Sequence, residues 1–215
     1  MTDAPDWADT AEQDLLDQML TLVPVHGWTW RCVKAAGAGM GLSEGETELL
    51  APHGPADLAA LLARRHDAQA MAALAAIDPT ALKVRERIAR GCEAWLDAAS
   101  GEPEATRRWM GFLALPLNLP LGARLAWDSA DRLWRRAGDV ATDENHYTKR
   151  ALLGGILTGA LAIQQASGQA AALAFVDRRI GNVMSFERWK ATTHLKPQSW
   201  AHLAAEALSR MRYGA

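Results

Sequence analysis

The chain has little of what would place it in several large protein classes. Its 215 residues include 2 cysteines, 2 tyrosines and 3 phenylalanines. Cys32 and Cys92 are far apart, and neither lies in a Cys-x-x-Cys or Cys/His cluster. The sequence therefore predicts neither a disulfide framework nor a zinc site, and we expect both thiols to fill a helical core.

The chain also lacks a long hydrophobic run. Its longest nearly apolar stretch, residues 151–163, contains three glycines and is too short to cross a bilayer. Residues 1–9 are acidic and have no apolar centre, which argues against a signal peptide or an arginine-rich transit peptide. The net charge of −2 gives no general sign of a nucleic-acid partner. These features predict a cytoplasmic, bacterial protein that associates with a membrane only peripherally.

Motifs for catalysis are absent as well. The sequence contains no Gly-x-Ser-x-Gly, no phosphate-binding loop and no Gly-x-Gly-x-x-Gly. Asp143 and His146 have the spacing found in di-iron bundles, but no Glu-x-x-His and no second such pair accompany them. We therefore expect no metal, no cofactor and no enzymatic activity.

The sequence is rich in alanine and leucine, and its apolar and polar residues do not alternate with a period of two. These features predict an all-α fold. Pro116 and Pro120 interrupt the pattern, so residues 117–121 are predicted to form a kink. The apolar stripes and stop signals predict helices at 9–23, 29–40, 55–77, 81–99, 103–115, 121–137, 143–166, 169–190 and 200–212, and a short helix that starts at Ser43 and stops before the breaks at Pro52 and Gly54.

The first three helices have the lengths and the glycine-terminated turn of a helix-turn-helix. Gly27-Trp-Thr and Gly41-Leu-Ser stand where that module has its turns in the tetracycline-repressor family, which this region resembles. Residues 1–50 nevertheless contain nine acidic and two basic residues, a balance of −7. Since DNA affinity depends on Lys and Arg contacts to phosphate, we predict that this subdomain, residues 1–53, does not bind nucleic acid. The alternative prediction is that the chain is a ligand-sensing transcriptional regulator.

The body, residues 54–192, is unusually apolar. Its stripes are typical of core packing, and the second interpretation is a lipid-binding tunnel, since bundle interiors often hold ligands. Small residues from Gly154 to Ala160 fit a homodimer seam between the eighth and ninth helices equally well. The candidate lipid-binding residues are Trp109, Leu113, Leu117, Leu121, Leu125, Leu152, Ile156 and Phe175.

The segment 137–152 carries more polar chemistry than a turn requires. Gly138 can end one helix and Thr142 can cap the next. Six further polar residues are left over, and the alternative to a functional site is a solvated helix start with acids at its positive end. They are Asp139, Asp143, His146, Tyr147, Lys149 and Arg150.

The last segment, residues 193–215, predicts an amphipathic tail helix with a basic bias. Such a helix binds a membrane surface or docks on its own domain, and the sequence leaves both interpretations open. The candidate membrane-binding residues are Trp200, Leu203, Leu208 and Met211.

Several short motifs together resemble the ubiquinone-biosynthesis accessory proteins of the ninth coenzyme Q gene family, from about residue 10 onward. The most specific block comprises Ala137-Gly-Asp, Thr142-Asp and Tyr147-Thr-Lys-Arg-Ala-Leu. The others begin at Val23 (Val-Pro-Val-His-Gly-Trp-Thr), Gly39 (Gly-Met-Gly-Leu-Ser), Lys83 (Lys-Val-Arg-Glu-Arg-Ile), Leu133 (Leu-Trp) and Phe175 (Phe-Val-Asp-Arg-Arg-Ile).

The resemblance implies a dimeric, tetracycline-repressor-like fold that no longer binds DNA. It also implies an isoprenoid or other lipid ligand, a membrane-binding tail helix and a partner, the demethoxyubiquinone hydroxylase. Carried over to this chain, the partner-binding residues are Leu133, Asp143, His146 and Tyr147. Where the family commonly has Asp-Phe-Asn-Trp-Tyr, this chain has Asp-Glu-Asn-His-Tyr at residues 143–147.

Overall fold

A computed structural model of the chain describes residues 7–78, 81–139 and 144–192, with side chains described up to residue 182 and from residue 146 after the second gap. The described residues form helices joined by short turns and contain no strand. The helices are α1 (Trp7–His26), α2 (Trp30–Gly39), α3 (Glu44–Leu50), α4 (Pro55–Ala75), α5 (Val84–Ala99), α6 (Pro103–Leu113), a 3-10 turn (Pro116–Asn118), α7 (Leu119–Arg136), α8 (Glu144–Ser167) and α9 (Gln169–Thr192). The all-α prediction is confirmed, while the tetracycline-repressor-like arrangement stays a prediction.

The predicted helix boundaries are close to those observed because the sequence contains strong start and stop residues. Ser43 caps α3, and its hydroxyl accepts from the amide of Glu46 while the Glu46 carboxylate accepts from the Ser43 amide at 2.8 Å. The hydroxyl of Thr29 caps α2 by accepting from the amide of Cys32. Gly41 has a φ of +78°, which ends the α2 segment in a conformation that side-chain-bearing residues rarely adopt.

Two boundaries differ from the prediction for local reasons. Helix α1 continues through Pro24 to His26, because a proline in the last turn removes one hydrogen bond without ending the helix. Helix α5 begins at Val84, where the Glu86 carboxylate accepts from the amide of Lys83 at 2.9 Å. The predicted cap Thr142 and the predicted tail helix lie outside the described residues.

A buried core joins α1, α2 and α4. The inward face of α1 carries Leu15, Leu16, Met19 and Val23, all fully buried. Helices α4 and α5 pack on one another, as do α7 and α8, and α4 also contacts α7. Both cysteines are free and fully buried, which confirms the prediction that they fill the core.

The contacts divide the chain after Val176, within α9. The first unit, Met1–Val176, contains α1 to α8 and the first two turns of α9. Among the described helices, none is long and apolar enough to cross a bilayer.

Candidate functional site

An apolar cavity of about 400 Å³ lies between α4, α5, α6, α7 and α8. No ionisable side chain contributes to its wall, and the polar side-chain groups there are two hydroxyls and two indoles. The wall consists of Ala63, Trp95, Trp109, Met110, Leu113, Ala114, Leu119, Gly122, Ala123, Leu125, Ala126, Ser129, Leu157, Thr158 and Leu161.

Small residues and tryptophans together create this space. A Cβ on Gly154 of α8 would lie 3.2 Å from the backbone oxygen of Ala126, so α7 and α8 approach closely there. At the floor, the indole of Trp109 donates to the backbone oxygen of Ala59 at 3.0 Å. The indole of Trp95 donates to Asp67 at 3.0 Å. Because both large rings are tied by their only polar atom, they cannot rotate freely into the cavity.

A buried polar cluster lies behind the tryptophan floor. Asp67 is 3 % exposed, accepts from Trp95 and Ser129, and lies 3.3 Å from the Nε of Arg132. Burial outweighs these contacts and raises the pKa of the Asp67 carboxyl. His66 is edge-on to Trp95 and Trp109, with ring centroids 6.3 and 5.8 Å apart. Burial, and then the charge of the neighbouring arginine, lowers the pKa of His66 to about 4, so this imidazole is neutral at neutral pH.

The predicted lipid-binding residues divide into two groups in the structure. Trp109, Leu113 and Leu125 form part of the cavity wall. Leu117 and Leu152 are exposed, and Leu121, Ile156 and Phe175 lie elsewhere along the helices. Nothing in the structure tests whether any of these side chains binds lipid, so that part stays a prediction.

Sequence reasoning did not select several residues of the cavity wall. Leu157 and Leu161 of α8 are one turn apart and share a face that points inward. Their spacing from Leu153 was a usable signal. Trp95 had no such signal, because only the packing of α5 on α4 brings it to the cavity.

A second feature, here called the aromatic patch, consists of Trp127, His146 and Tyr147. The ring of Trp127 on α7 lies 5.9 Å from that of Tyr147 and 6.4 Å from that of His146. The His146 and Tyr147 rings are 5.2 Å apart and edge-on. Tyr147 is 64 % exposed, so the patch reaches the surface. Trp127 was not predicted, since it is distant from the other two residues in sequence.

A charge network links α7, and Asp139 just after it, to α8. Arg150 is 1 % exposed and donates to Asp131 at 2.6 Å, to Asp139 at 2.9 Å and to the backbone oxygen of His146 at 3.1 Å. Lys149 donates to Asp139 at 2.7 Å. Burial opposes ionisation of Asp139, but these cations outweigh it and hold its pKa below the usual value. Asp139 is therefore the shared partner of Lys149 and Arg150.

The way in which α7 ends explains why residue 138 is a glycine. Gly138 has a φ of +89°, its amide donates to the Arg135 carbonyl, and the Asp139 amide donates to the Trp134 carbonyl, each at 3.0 Å. This is a Schellman ending, and it directs Asp139 toward Arg150. Leu133, a predicted partner-binding residue, is buried against Gly91, whereas Asp143 lies outside the described residues.

The surface of α3 is acidic. Glu44, Glu46 and Glu48 are exposed, and Lys34 pairs with Glu44 at 2.9 Å and with Glu48 at 3.7 Å. A recognition helix with this charge would repel phosphate. The geometry gives no support to the regulator alternative, and the absence of DNA binding stays a prediction.

The fold and these two features define an all-helical protein with an apolar cavity and an adjacent aromatic surface. The COQ9 family domain matches residues 119–187, which include α7, α8 and most of α9.

Curated relatives match a longer stretch. The Ubiquinone biosynthesis protein COQ9, mitochondrial, of Rattus norvegicus is 27% identical over 180 residues, covering 80% of this chain and 58% of its own length. That of Bos taurus is 27% identical over 148 residues, covering 66% and 46%. COQ9-A of Xenopus laevis is 29% identical over 156 residues, covering 67% and 48%. The chain spans about half the length of the curated relatives it matches.

Together these matches support a COQ9 family protein, which confirms the family resemblance predicted from the sequence. The relatives are named as mitochondrial proteins, so the expectation that the protein is bacterial is not borne out. Its cytoplasmic location and peripheral membrane association stay predictions.

Proposed function

We propose that this protein is a non-catalytic, lipid-binding accessory protein of ubiquinone biosynthesis. It takes a polyprenylated quinone precursor from a membrane and presents it to the demethoxyubiquinone hydroxylase. The relatives are named for ubiquinone biosynthesis, and the family domain covers the helices that carry much of the cavity wall and the aromatic patch.

The apolar cavity is the observation that carries this proposal. Its volume of about 400 Å³ falls within the range of small-molecule sites, roughly 300–1,000 Å³. Since its wall has no ionisable side chain, an ionic ligand would lose its hydration without gaining a partner. An isoprenoid chain gains from burial in the same place. Ser129 and Thr158 offer hydroxyls to a weakly polar group such as a quinone oxygen.

Mass spectrometry of organic extracts from gently purified protein tests the ligand. We expect a polyprenyl quinone or related isoprenoid at near-stoichiometric level. Ala123 is an exposed residue of the cavity wall, so Ala123→Trp should narrow the cavity without disturbing the core and should reduce the extracted lipid. Ala73 of α4 is also exposed and lies outside the wall, so Ala73→Trp is the matched control. Clean extracts from all three proteins would contradict the proposal.

The aromatic patch is the proposed contact for the hydroxylase. Aromatic side chains that are exposed and held by neighbours are typical anchors of interfaces, because they bury much area with few rotamers lost. Here the Trp127 ring packs against the ring of Tyr147. His146 occupies the position where the family commonly has a tryptophan. Leu133 is buried, so any effect of it on the partner is indirect.

The proposal includes a homodimer. Of the small residues that the sequence suggested for a seam between α8 and α9, Gly154 and Ala160 are buried within this chain and Gly159 lies against Phe175, so of these only Gly155 is exposed. The outward face of α8 around it also carries Ala151, Leu152 and Ala162, which are exposed. Small residues let a second helix approach closely, so this face fits a helix-on-helix seam between two copies.

A further inference from the structure

The connection between α6 and α7, here called the leucine junction (residues 114–120), exposes an unusual amount of apolar surface. Leu115 is 53 % exposed, Leu117 is 91 % exposed and Leu119 is 54 % exposed. Scattered surface leucines are ordinary, but three exposed leucines within five residues concentrate apolar surface in one short connection, here called the apolar projection. Such a projection calls for a partner that is itself apolar.

The backbone of the leucine junction forms hydrogen bonds within its own turn. The amides of Asn118 and Leu119 both donate to the Leu115 carbonyl, at 2.8 and 3.1 Å. The side chain of Asn118 donates to the Phe112 carbonyl at 2.9 Å. Pro116 and Pro120 have no amide hydrogen to satisfy. Apart from the Leu117 amide, the backbone donors of residues 114–120 are therefore either paired or replaced by proline, which lowers the main penalty for irregular structure in a bilayer.

The leucine junction lies at the open end of the cavity. The exposed members of the cavity wall are Ala114, Leu119, Ala123 and Thr158, whereas the buried members include Trp95 and Trp109. The opening is therefore formed by the junction, the first turns of α7 and the middle of α8. A lipid leaving the cavity on this side passes Leu119, the residue that belongs both to the wall and to the apolar projection.

Basic residues slightly outnumber acidic ones around the junction, with three arginines against Glu104 and Asp128 over residues 104–128. Arg107 and Arg108 pair with Glu104 at 3.1 Å on the preceding turns, and all three arginines are exposed. Exposed basic side chains beside an apolar projection fit an anionic lipid surface, to which they are attracted.

We infer that the leucine junction is a membrane-insertion element, through which the cavity opens toward an anionic bilayer and receives its ligand. This rests on the proposed function, because it supplies the route by which a membrane lipid reaches the cavity. It assigns Leu117 to the bilayer surface, whereas the sequence predicted this residue among those that line the lipid-binding interior.

Site-specific fluorescence tests the insertion directly. Burial raises the pKa of the thiols of Cys32 and Cys92 to about 11 and about 12, so neither reacts readily and a new exposed cysteine is labelled selectively. An NBD fluorophore on Leu117→Cys should shift to shorter wavelength on vesicles of phosphatidylcholine with phosphatidylglycerol, and less on phosphatidylcholine alone. Leu49 on α3 is 81 % exposed, so Leu49→Cys is the matched control and should not shift.

Three outcomes would overturn the inference. One is an unchanged emission at position 117, and another is an equal shift at both positions, which would indicate non-specific adsorption. The third is a shift at position 117 without vesicles, on raising the protein concentration, which would assign the junction to contact with a second copy.

A second experiment measures the route. Transfer of a fluorescent isoprenoid from vesicles to Leu117→Asp should be about tenfold slower than to the unmodified protein, since one buried leucine side chain is worth roughly that factor in partition. Leu49→Asp should transfer at the original rate, and loading from detergent should be equal in all three proteins. Equal transfer rates would overturn the entry route. Failure to load even from detergent would instead refute the proposed ligand, while the fluorophore at position 117 would still decide whether the junction inserts.

Discussion

Replacing Arg150 with methionine should destabilise this protein far more than a typical arginine substitution. The guanidinium is 1 % exposed and satisfies Asp131, Asp139 and the His146 carbonyl at once. Removing one partner of a buried ion pair typically costs about 3–5 kcal/mol, because the remaining charge stays desolvated. Lys149 still pairs with Asp139, and Arg135 still pairs with Asp131. We therefore expect a loss of about 3 kcal/mol, at the low end of that range.

Urea unfolding of Arg150→Met measures this loss, and Arg135→Met is its matched control. Arg135 pairs with the same carboxylate at 2.6 Å, but its side chain is 70% exposed. Its replacement should cost less than about 1 kcal/mol, as for other exposed pairs. Equal losses for the two variants, or a loss below about 1 kcal/mol for Arg150→Met, would refute the reasoning that the network is buried and cooperative.

The pH dependence follows from the sign of the carboxyl shifts. The folded pKa values of Asp131 and Asp139 lie below their ordinary value of 3.8, since the cations outweigh burial. Their stabilising contribution is therefore complete above the ordinary value and is lost as the pH falls through the folded values. The difference between Arg150→Met and the unmodified protein should be constant from neutral pH to about pH 5 and shrink below about pH 4. A difference that grows on acidification would have the wrong sign.

Three further predictions follow from single features. Tyr147→Ala should weaken hydroxylase binding in a pull-down without lowering the melting temperature, whereas Trp7→Ala, which removes another exposed aromatic, should leave binding unchanged. Deleting Trp200–Ala215 should reduce sedimentation with anionic liposomes and leave the dimer intact in analytical ultracentrifugation; unchanged sedimentation would refute the tail prediction. Gly138→Val should lower the free energy of unfolding by roughly 1–3 kcal/mol, because a side chain is strained at a φ of +89° and its Cβ would lie 3.2 Å from Arg87. An unchanged urea midpoint would contradict it.

The helices could be predicted from the sequence because their ends carry local signals. The capping box at Ser43 and the glycine stop at Gly41 act within one turn, so they do not depend on the rest of the fold. The buried stripe of α1 could be predicted for a similar reason, since its apolar residues recur at helical spacing.

The cavity wall could be predicted only in part. The spacing of apolar residues along one helix does not determine which way the residues point after the helix is interrupted. Leu113 and Leu125 point to the cavity, but the 3-10 turn between them resets the rotation of the chain. Leu117 therefore points outward although it continues the apolar pattern. The polar block from Asp139 to Arg150 had the opposite difficulty. Its residues look available for chemistry, and only the packing of α8 on α7 shows that Lys149 and Arg150 are already paired with Asp139 and, for Arg150, with Asp131 as well.

The arrangement along α8 connects the two proposed activities. His146 and Tyr147 belong to the aromatic patch, Arg150 follows one turn later, and Leu157 reaches the cavity wall two turns after that. The network that holds α8 against α7 therefore sets the position of the patch and of the wall together. Arg150→Met should consequently reduce both the lipid extracted from the protein and its affinity for the hydroxylase. Loss of one property with the other unchanged would show that patch and cavity are positioned independently.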